Sequence, residues 1–334
     1  MSATIKLEKK HFPVLLKELI SIISPLYGGT FLDCTFGQGG YSKKILEKSN
    51  NKVIALDRDK EVSLYANEIK KKYKKRFYFY NNKFSEINSI KLKPEDLKGI
   101  IFDLGYSTNQ IKDLDRGFSF KSTGKLNMMM GLNNCSCHDV ISSMNEENLN
   151  KIFKYFGEEK FSKRIARKIV ETRKIKKINT EDLTRIVDSV KKFKNYKINN
   201  STKVFQALRI YVNKEISELI NGLINAFNLL PVGGIIVVVT FHSIEDKIVK
   251  FFFKNYSEFK NSSRYMPNKE KNTKCFNLIK KKPIIPTNEE LHLNPPSRSA
   301  KLRFAIKTNH MENFEEFIDK FRKLTDIEEL KFNK

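Results

Sequence analysis

Apolar residues recur at helical spacing at Leu15, Leu16, Leu19, Ile20 and Ile23, which predicts a helix over 13–27 with Pro13 at an early helical position. Short apolar runs then alternate with helical stretches. Strands are expected at 30–34, 52–56, 76–80 and 98–102, with helices at 42–48 and 60–73 between them. That alternation predicts an open parallel sheet covered by helices. The rhythm breaks from about Asp113 to Asn200. Loops run to about Cys137, followed by helical runs at 146–155, 159–174 and 180–192 and a polar hinge at 194–202. In the second run Phe161, Ile165 and Ile169 share one face. The sheet pattern resumes with one long helix over 204–229 and a Pro-Val-Gly-Gly turn at 231–234. The strand at 235–240 is continuously apolar and β-branched, as expected of a central strand covered on both faces. A helix at 244–255, a basic Pro- and Asn-rich loop at 257–300, a late strand at 301–308 and an amphipathic tail helix at 311–334 complete the chain. The reading is an α/β fold interrupted by a helical insertion. Its parts are 1–112 and 204–310 for the sheet domain, 113–203 for the insertion and 311–334 for the terminal helix.

Composition narrows the class. The 334 residues are 40% hydrophobic and include 26 Phe, enough to bury a core, which argues against intrinsic disorder. Four Cys in a chain this long do not make a disulfide scaffold. No apolar run reaches the length of a membrane span, and no signal segment opens the chain, so a cytoplasmic setting is expected. The formal net charge is +25, from 63 basic and 38 acidic residues. A field of that sign favours nucleic acid or an anionic membrane. Residues 113–200 hold 19 basic and 11 acidic residues, net +8; residues 251–310 hold 13 and 4, net +9.

Candidate chemistry gathers in three loops at the carboxyl ends of successive strands, where open α/β sheets bind ligands. The first, Thr35-Phe36-Gly37-Gln38-Gly39-Gly40-Tyr41-Ser42, sets Gly37, Gly39 and Gly40 before a helix start. The second carries Asp57, twenty residues beyond Gly37, at the offset where a carboxylate accepts bonds from the ribose of an adenosine cofactor. The third is Asp103-Leu104-Gly105. The glycine loop is not the G-x-G-x-x-G dinucleotide fingerprint, and it lacks the Lys-Ser/Thr of a triphosphate loop. S-adenosylmethionine, which carries no phosphate, fits it better than a nicotinamide cofactor does.

Longer motifs go further. His11-Phe12-Pro13-Val14-Leu15-Leu16, the loop at 33–42, Asp57-Arg58-Asp59, Asp103-Leu104-Gly105 and Arg116-Gly117-Phe118-Ser119-Phe120 occur in order. They are followed by Tyr155-Phe156-Gly157-Glu158-Glu159, Phe205-Gln206-Ala207-Leu208-Arg209, Phe241-His242-Ser243-Ile244-Glu245-Asp246 and the stretch from Asn294 to Arg303. Over about residues 11–308 the chain resembles the bacterial 16S ribosomal RNA cytosine-N4 methyltransferase family. The resemblance implies a Rossmann-like S-adenosylmethionine-dependent methyltransferase sheet with an inserted helical domain. The implied activity is methylation of the exocyclic N4 of one cytidine in the decoding region of the small ribosomal subunit. It implies cofactor contacts from Gly39, Gly40 and Tyr41, ribose binding by Asp57, Phe84 near the adenine, and further contacts from Asp103 and Gln110. The family usually has His where this chain has Tyr41, and a Val-Ser-Ser-Pro-Gln run where it has Tyr106-Ser107-Thr108-Asn109-Gln110. From 124 to 131 two carboxylates and one guanidinium of the family pattern are replaced, by Asn127, Gly131 and Met129.

The chemistry needs no covalent nucleophile and no metal, only alignment of the cytosine amino group and acceptance of its hydrogen bonds. Asp103 and the wall Tyr106, Ser107 and Thr108 are the expected place for N4, with Tyr106 able to stack on the base. His242 lines the same edge, as a substrate-orienting group or a satisfied structural histidine. Lys163, Arg167 and Lys168 in the insertion, and Arg298 and Lys301 near the end, are expected to hold RNA phosphate; Arg303 equally well faces the sheet. Cys135-Ser136-Cys137-His138 has no second cluster at zinc-ligand spacing. Met128, Met129 and Met130 read as packing. The expected partner is the small subunit or its RNA, without membrane, with a homodimer as the candidate assembly. Two alternatives stay open: a methyltransferase for another RNA base or a DNA amino group, and a non-catalytic, cofactor-gated RNA-binding or ribosome-assembly protein.

Overall fold

A seven-stranded sheet of order β3-β2-β1-β4-β5-β7-β6 organises the computed structural model, which describes residues 13–90, 94–120, 122, 124, 126–191, 199–257, 274–311 and 313–332. The first half lays down α1 (Leu16–Ile23), β1 (Gly29–Asp33), α2 (Gly40–Leu46), β2 (Asn51–Asp57), α3 (Ser63–Tyr73), β3 (Phe77–Asn81) and β4 (Leu97–Asp103). Helices α4 (Thr108–Lys112), α5 (Cys137–Ser143), α6 (Glu146–Phe156), α7 (Ser162–Arg173) and α8 (Thr180–Val190) follow. The chain then forms α9 (Thr202–Asn213), α10 (Glu215–Leu229), β5 (Ile235–Thr240) and α11 (Ser243–Asn255). It ends with β6 (Phe276–Asn277), α12 (Asn288–Leu293), β7 (Lys301–Lys307) and α13 (Glu315–Glu328).

The five strands β3, β2, β1, β4 and β5 are parallel, and β7 and β6 run antiparallel at one edge. The sheet is therefore a mixed, Rossmann-like one rather than wholly parallel. All of β5 is buried, as a strand between β4 and β7 must be. Alternate residues feed two cores, because successive strand side chains point to opposite faces. Phe31, Val53, Ala55, Ile101, Val237 and Val239 pack with α1–α3. Leu32, Leu56, Ile100, Phe102, Ile236 and Val238 face the other way, into a cluster that runs without a break through the helices of 137–229. The terminal helix docks there too, where Phe251 and Phe252 meet Phe317. Glu328 accepts bonds from the Ile216 and Ser217 amides, capping α10.

Several local expectations are corrected. The helix expected over 13–27 is shorter, since Leu15 and Ser24 are left-handed and bracket α1. Pro13 precedes it and packs on Gly40, where a Cβ would collide with the proline ring. The helix expected over 204–229 is two helices, broken at Lys214, whose φ is 49°. Loop was expected from about Asp113 to Cys137, and a short 3-10 turn at Leu114–Arg116 forms inside that stretch. The segment between 137 and 146 is helical, started by a Ser136–Asp139 capping box. Phe161 lies outside α7 and is exposed, while Ile165, Ala166 and Ile169 are buried. Most of the 194–202 hinge, residues 258–273 of the 257–300 loop, and His11, Phe12 and Lys125 lie outside the described residues, while β6 and α12 form within the rest of that expected loop.

Candidate functional site

Three carboxylates sit at the carboxyl ends of neighbouring strands: Asp33 ending β1, Asp57 ending β2 and Asp103 ending β4. Asp33 is fully buried, bonded by the Ser42 hydroxyl at 2.6 Å and the Thr35 amide at 3.3 Å. The Asp57 oxygens accept from the Gly37 amide and the Asp59 amide, both at 2.8 Å. Asp103 has the Tyr41 hydroxyl beside its carboxylate, yet its Oδ1 is buried without a hydrogen-bond partner. Burial pushes Asp33 and Asp57 up to about 6. Burial, with Asp33 and Glu245 nearby, pushes Asp103 up to about 8. Among the described residues no Lys or Arg pairs with any of the three. In a chain of net +25, that is an acidic cluster without a basic counter-charge, and its complement is a cation.

The glycine loop shapes the approach to it. Gly37 has a φ of +53°, and a Cβ there would meet nothing within 4 Å, so its face is open. Gly39 and Gly40 are glycine for a different reason. Side chains there would strike Phe36 and Ile69, or Pro13, so these two fit the loop to its own neighbours. Tyr41 is 3% exposed, and its hydroxyl donates to the Val14 carbonyl, tying the segment before α1 over the loop. Phe84 stands edge-on to Phe102 at 5.3 Å, half-buried against the sheet.

After Asp103 the chain turns at Gly105, whose φ is +102°, into Tyr106, Ser107 and α4. The Ser107 amide donates to Gln110 Oε1 at 2.9 Å, and Gln110 Nε2 donates to Asp59 Oδ2 at 2.8 Å. Gln110 thereby links the third loop to the second, with Arg116 on the same Asp59 oxygen. Thr108 begins α4; its side chain lies outside what is described. Tyr106 remains 44% exposed.

His242 is enclosed, its side chain 7% exposed, at the N-cap of α11, where Glu245 completes a capping box. Its Nε2 lies 3.0 Å from Glu245 Oε1 and 3.9 Å from Glu215 Oε2, off the direction of a good hydrogen bond. The two carboxylates outweigh burial and raise the imidazole to about 9. Glu215 is held in turn by a bidentate Arg209 at 2.8 and 2.9 Å. Three metal-type ligand atoms do approach one another here, but Arg209 occupies both Glu215 oxygens. The sequence pointed to His242 but not to Arg209 and Glu215 as its neighbours. The signal was the charged end of the Phe205–Arg209 motif, six residues before a Glu across an unforeseen helix break.

The expected phosphate ligands differ in availability. Lys163, Arg167, Lys168 and Arg298 are exposed, and among the described residues their ion pairs are loose, Arg167–Glu146 and Lys168–Glu171, both at 3.5 Å. Lys301 and Arg303 both grip Asp246, at 3.0 and 2.7 Å, and Arg303 is nearly enclosed. Met128 and Met130 are buried, Cys34 and Cys137 fill core space, and His138 is half-buried.

Comparison with known proteins places the chain. Residues 8–308 match the MraW methylase family. A protein of Ehrlichia canis named ribosomal RNA small subunit methyltransferase H is 44% identical over 302 residues, spanning 89% of this chain and 99% of its own. The protein of that name from Rickettsia bellii is 44% identical over 306 residues, 90% of this chain and all of the relative. The one from Ehrlichia ruminantium is 41% identical over 305 residues, 89% and 99% of the two chains.

Proposed function

The chain belongs to the MraW methylase family, and from that premise we propose that it methylates the exocyclic N4 of a cytidine in the decoding region of 16S ribosomal RNA. It is an S-adenosylmethionine-dependent methyltransferase of the small-subunit RNA. The observation that carries the reading is the acidic pocket at three strand ends, with the buried, unpartnered Oδ1 of Asp103. The residues present fit the cofactor: a sulfonium and an ammonium are the cations that such a pocket suits, and the open face of Gly37 lets a ligand lie against backbone. Gly37, Gly39, Gly40 and Tyr41 form the first wall, Asp57 is the ribose acceptor, and Phe84 stands on the adenine side, with Gln110 bracing the loops between them. Bound there, S-adenosylmethionine supplies an electrophilic methyl group.

The chain's own part is alignment. Asp103 Oδ1 accepts a hydrogen bond from the cytosine amino group, aims its lone pair and stabilises the positive charge that grows on nitrogen. Burial keeps that acceptor undiluted by water. Tyr106, Ser107 and Thr108 form the wall beside it, with the target base leaving its stack to reach them. His242 acts from behind this wall, through Glu245 and Glu215. Residues 113–203 present Lys163, Arg167 and Lys168 to phosphate, with Arg298 at the far end of the chain. Lys301 joins them by exchanging Asp246 for RNA. Among the described residues no helix is long and apolar enough to cross a membrane, in keeping with a cytoplasmic substrate. Sedimentation of the purified chain tests the homodimer.

Labelled S-adenosylmethionine incubated with small subunits, followed by mass spectrometry of the nucleosides, is the test. N4-methylcytidine is the expected product. Another methylated nucleoside would transfer the activity to a different base. Cofactor binding without transfer to RNA or DNA would leave an assembly protein. The altered stretch near 127–131 does not favour either alternative. The Met128 carbonyl and Met130 amide are bonded to Asn213, and Arg58 Nε donates to the Gly131 carbonyl, so the stretch is built into the fold.

A further inference from the structure

Arg209 is 7% exposed and locked to Glu215, and a buried ion pair of this kind seldom adds stability over well-packed hydrocarbon. Its position has another consequence. The guanidinium carbon lies 4.7 Å from the centroid of the Tyr106 ring. That ring is 44% exposed on a short loop entered through a left-handed glycine, three residues beyond Asp103. Left alone, an exposed tyrosine on such a loop samples several rotamers. A planar cation fixed from below by a carboxylate holds it in one.

The construction is repeated beside it. Phe118 lies 6.0 Å from Tyr106, tilted by 32°, and the Arg116 guanidinium is 5.8 Å from the Phe118 ring. Arg116 is anchored on Asp59 and Glu61 as Arg209 is on Glu215. Two adjacent aromatic rings, each carried by a guanidinium that is itself held by carboxylate, make a surface of the kind on which nucleobases stack.

We propose that Arg209, clamped by Glu215, is a positioning residue that presents the Tyr106 ring, with Phe118 beside it, as the platform on which the substrate nucleobase stacks. This rests on the RNA methyltransferase reading and adds to it a residue that acts without touching the reacting atoms. Lysine in its place keeps a charge for Glu215 but loses the flat face.

The test is a double-mutant cycle on Arg209 and Tyr106. Arg209→Lys raises KM for small-subunit RNA about tenfold, the scale of one cation–π contact near 1–2 kcal/mol, while calorimetry gives an unchanged S-adenosylmethionine affinity. In a Tyr106→Leu background the same change has no further effect on KM. In a Tyr106→Phe background, which keeps the ring, its penalty returns. An equal penalty in all three backgrounds, or none in the native one, overturns the proposal and leaves Arg209 a packing residue. The cycle is read in parallel as RNA dissociation constants by fluorescence anisotropy. A wild-type protein that binds RNA but methylates none would refute the parent reading, while the binding cycle still decides the platform.

Discussion

Replacing Asp103 by Asn separates catalysis from stability in opposite directions. The side chain keeps its shape but loses its charge. Tyr41 Oη stands beside this carboxylate, but its one proton goes to the Val14 carbonyl, so the amide turns its NH2 toward Tyr41 Oη and its oxygen toward the place of the substrate amino group. A neutral acceptor then replaces a charged one. Hydrogen bonds to charged acceptors contribute about 1.5–3 kcal/mol against about 0.5–1.5 for neutral ones, a difference of about 1–1.5 kcal/mol that lowers kcat by roughly 5- to 12-fold at saturating cofactor and RNA. Stability moves the other way. The folded carboxyl is raised to about 8 by burial, Asp33 and Glu245, against 3.8 when unperturbed. Between those values the folded state holds a proton that the unfolded state has lost, so native stability falls as pH rises and the cost is complete above about 8. Asn never ionises and escapes it. The Tm of Asp103→Asn relative to wild type therefore rises from pH 5 to 8 and then levels. Single-turnover methyl transfer and thermal melts across that range are the assays. Full turnover with saturated substrates would remove Asp103 from the reacting centre, and a Tm below wild type at pH 8 would show that its charge is compensated in the fold.

Cofactor affinity itself should rise with pH from about 5 to 8, as Asp33 and Asp57 ionise near 6 and Asp103 near 8, because a cation binds the ionised pocket more tightly; calorimetry in two buffers that showed no proton release on binding would refute it. Gly37→Ala should fold, at about 1–2 kcal/mol of left-handed strain, but lose cofactor affinity, since its methyl projects into open space. Gly40→Ala should instead lower Tm by pushing on Pro13; thermal melts and cofactor titrations of the pair distinguish the two. Neutralising Lys163, Arg167 and Lys168 together should weaken RNA binding and flatten the plot of log affinity against log salt by up to about 2–3 units of slope, leaving cofactor affinity alone. An unchanged slope would mean that this face of α7 only meets solvent.

The alternation of β-branched runs with helical periods was enough to place the strands, because each buried strand of this sheet is a short apolar block ended by a polar residue. Asp33, Asp57 and Asp103 stand at three of those ends. The hidden parts depend on backbone signs that side chains do not advertise. A left-handed Lys214 splits α9 from α10 without a glycine or proline to announce it, and that split brings Glu215 back onto Arg209. Leu15 is left-handed too, which puts Pro13 over the glycine loop instead of in a helix. Gly39 and Gly40 were legible as glycines of a loop, but not that their missing side chains make room for Phe36, Ile69 and Pro13. The reversed β7 was invisible, since a strand's direction is set by its partners and not by its own residues.

The order of the sheet also dictates how the chain must be made. β4 leaves the ribosome early, but its neighbour on the open side is β5, and the whole run from α4 to α10 lies between them. At about 5–20 residues per second, that intervening stretch takes on the order of ten seconds to synthesise. Throughout that interval the nascent chain carries an unpaired edge with Ile100, Ile101 and Phe102 on it, a template for wrong strand pairing between neighbouring chains on one message. Pairing across so long a separation is slow even once β5 emerges. That edge is therefore the part of the fold with the greatest need of shielding during synthesis, a hazard that leaves no trace in the stability of the finished molecule.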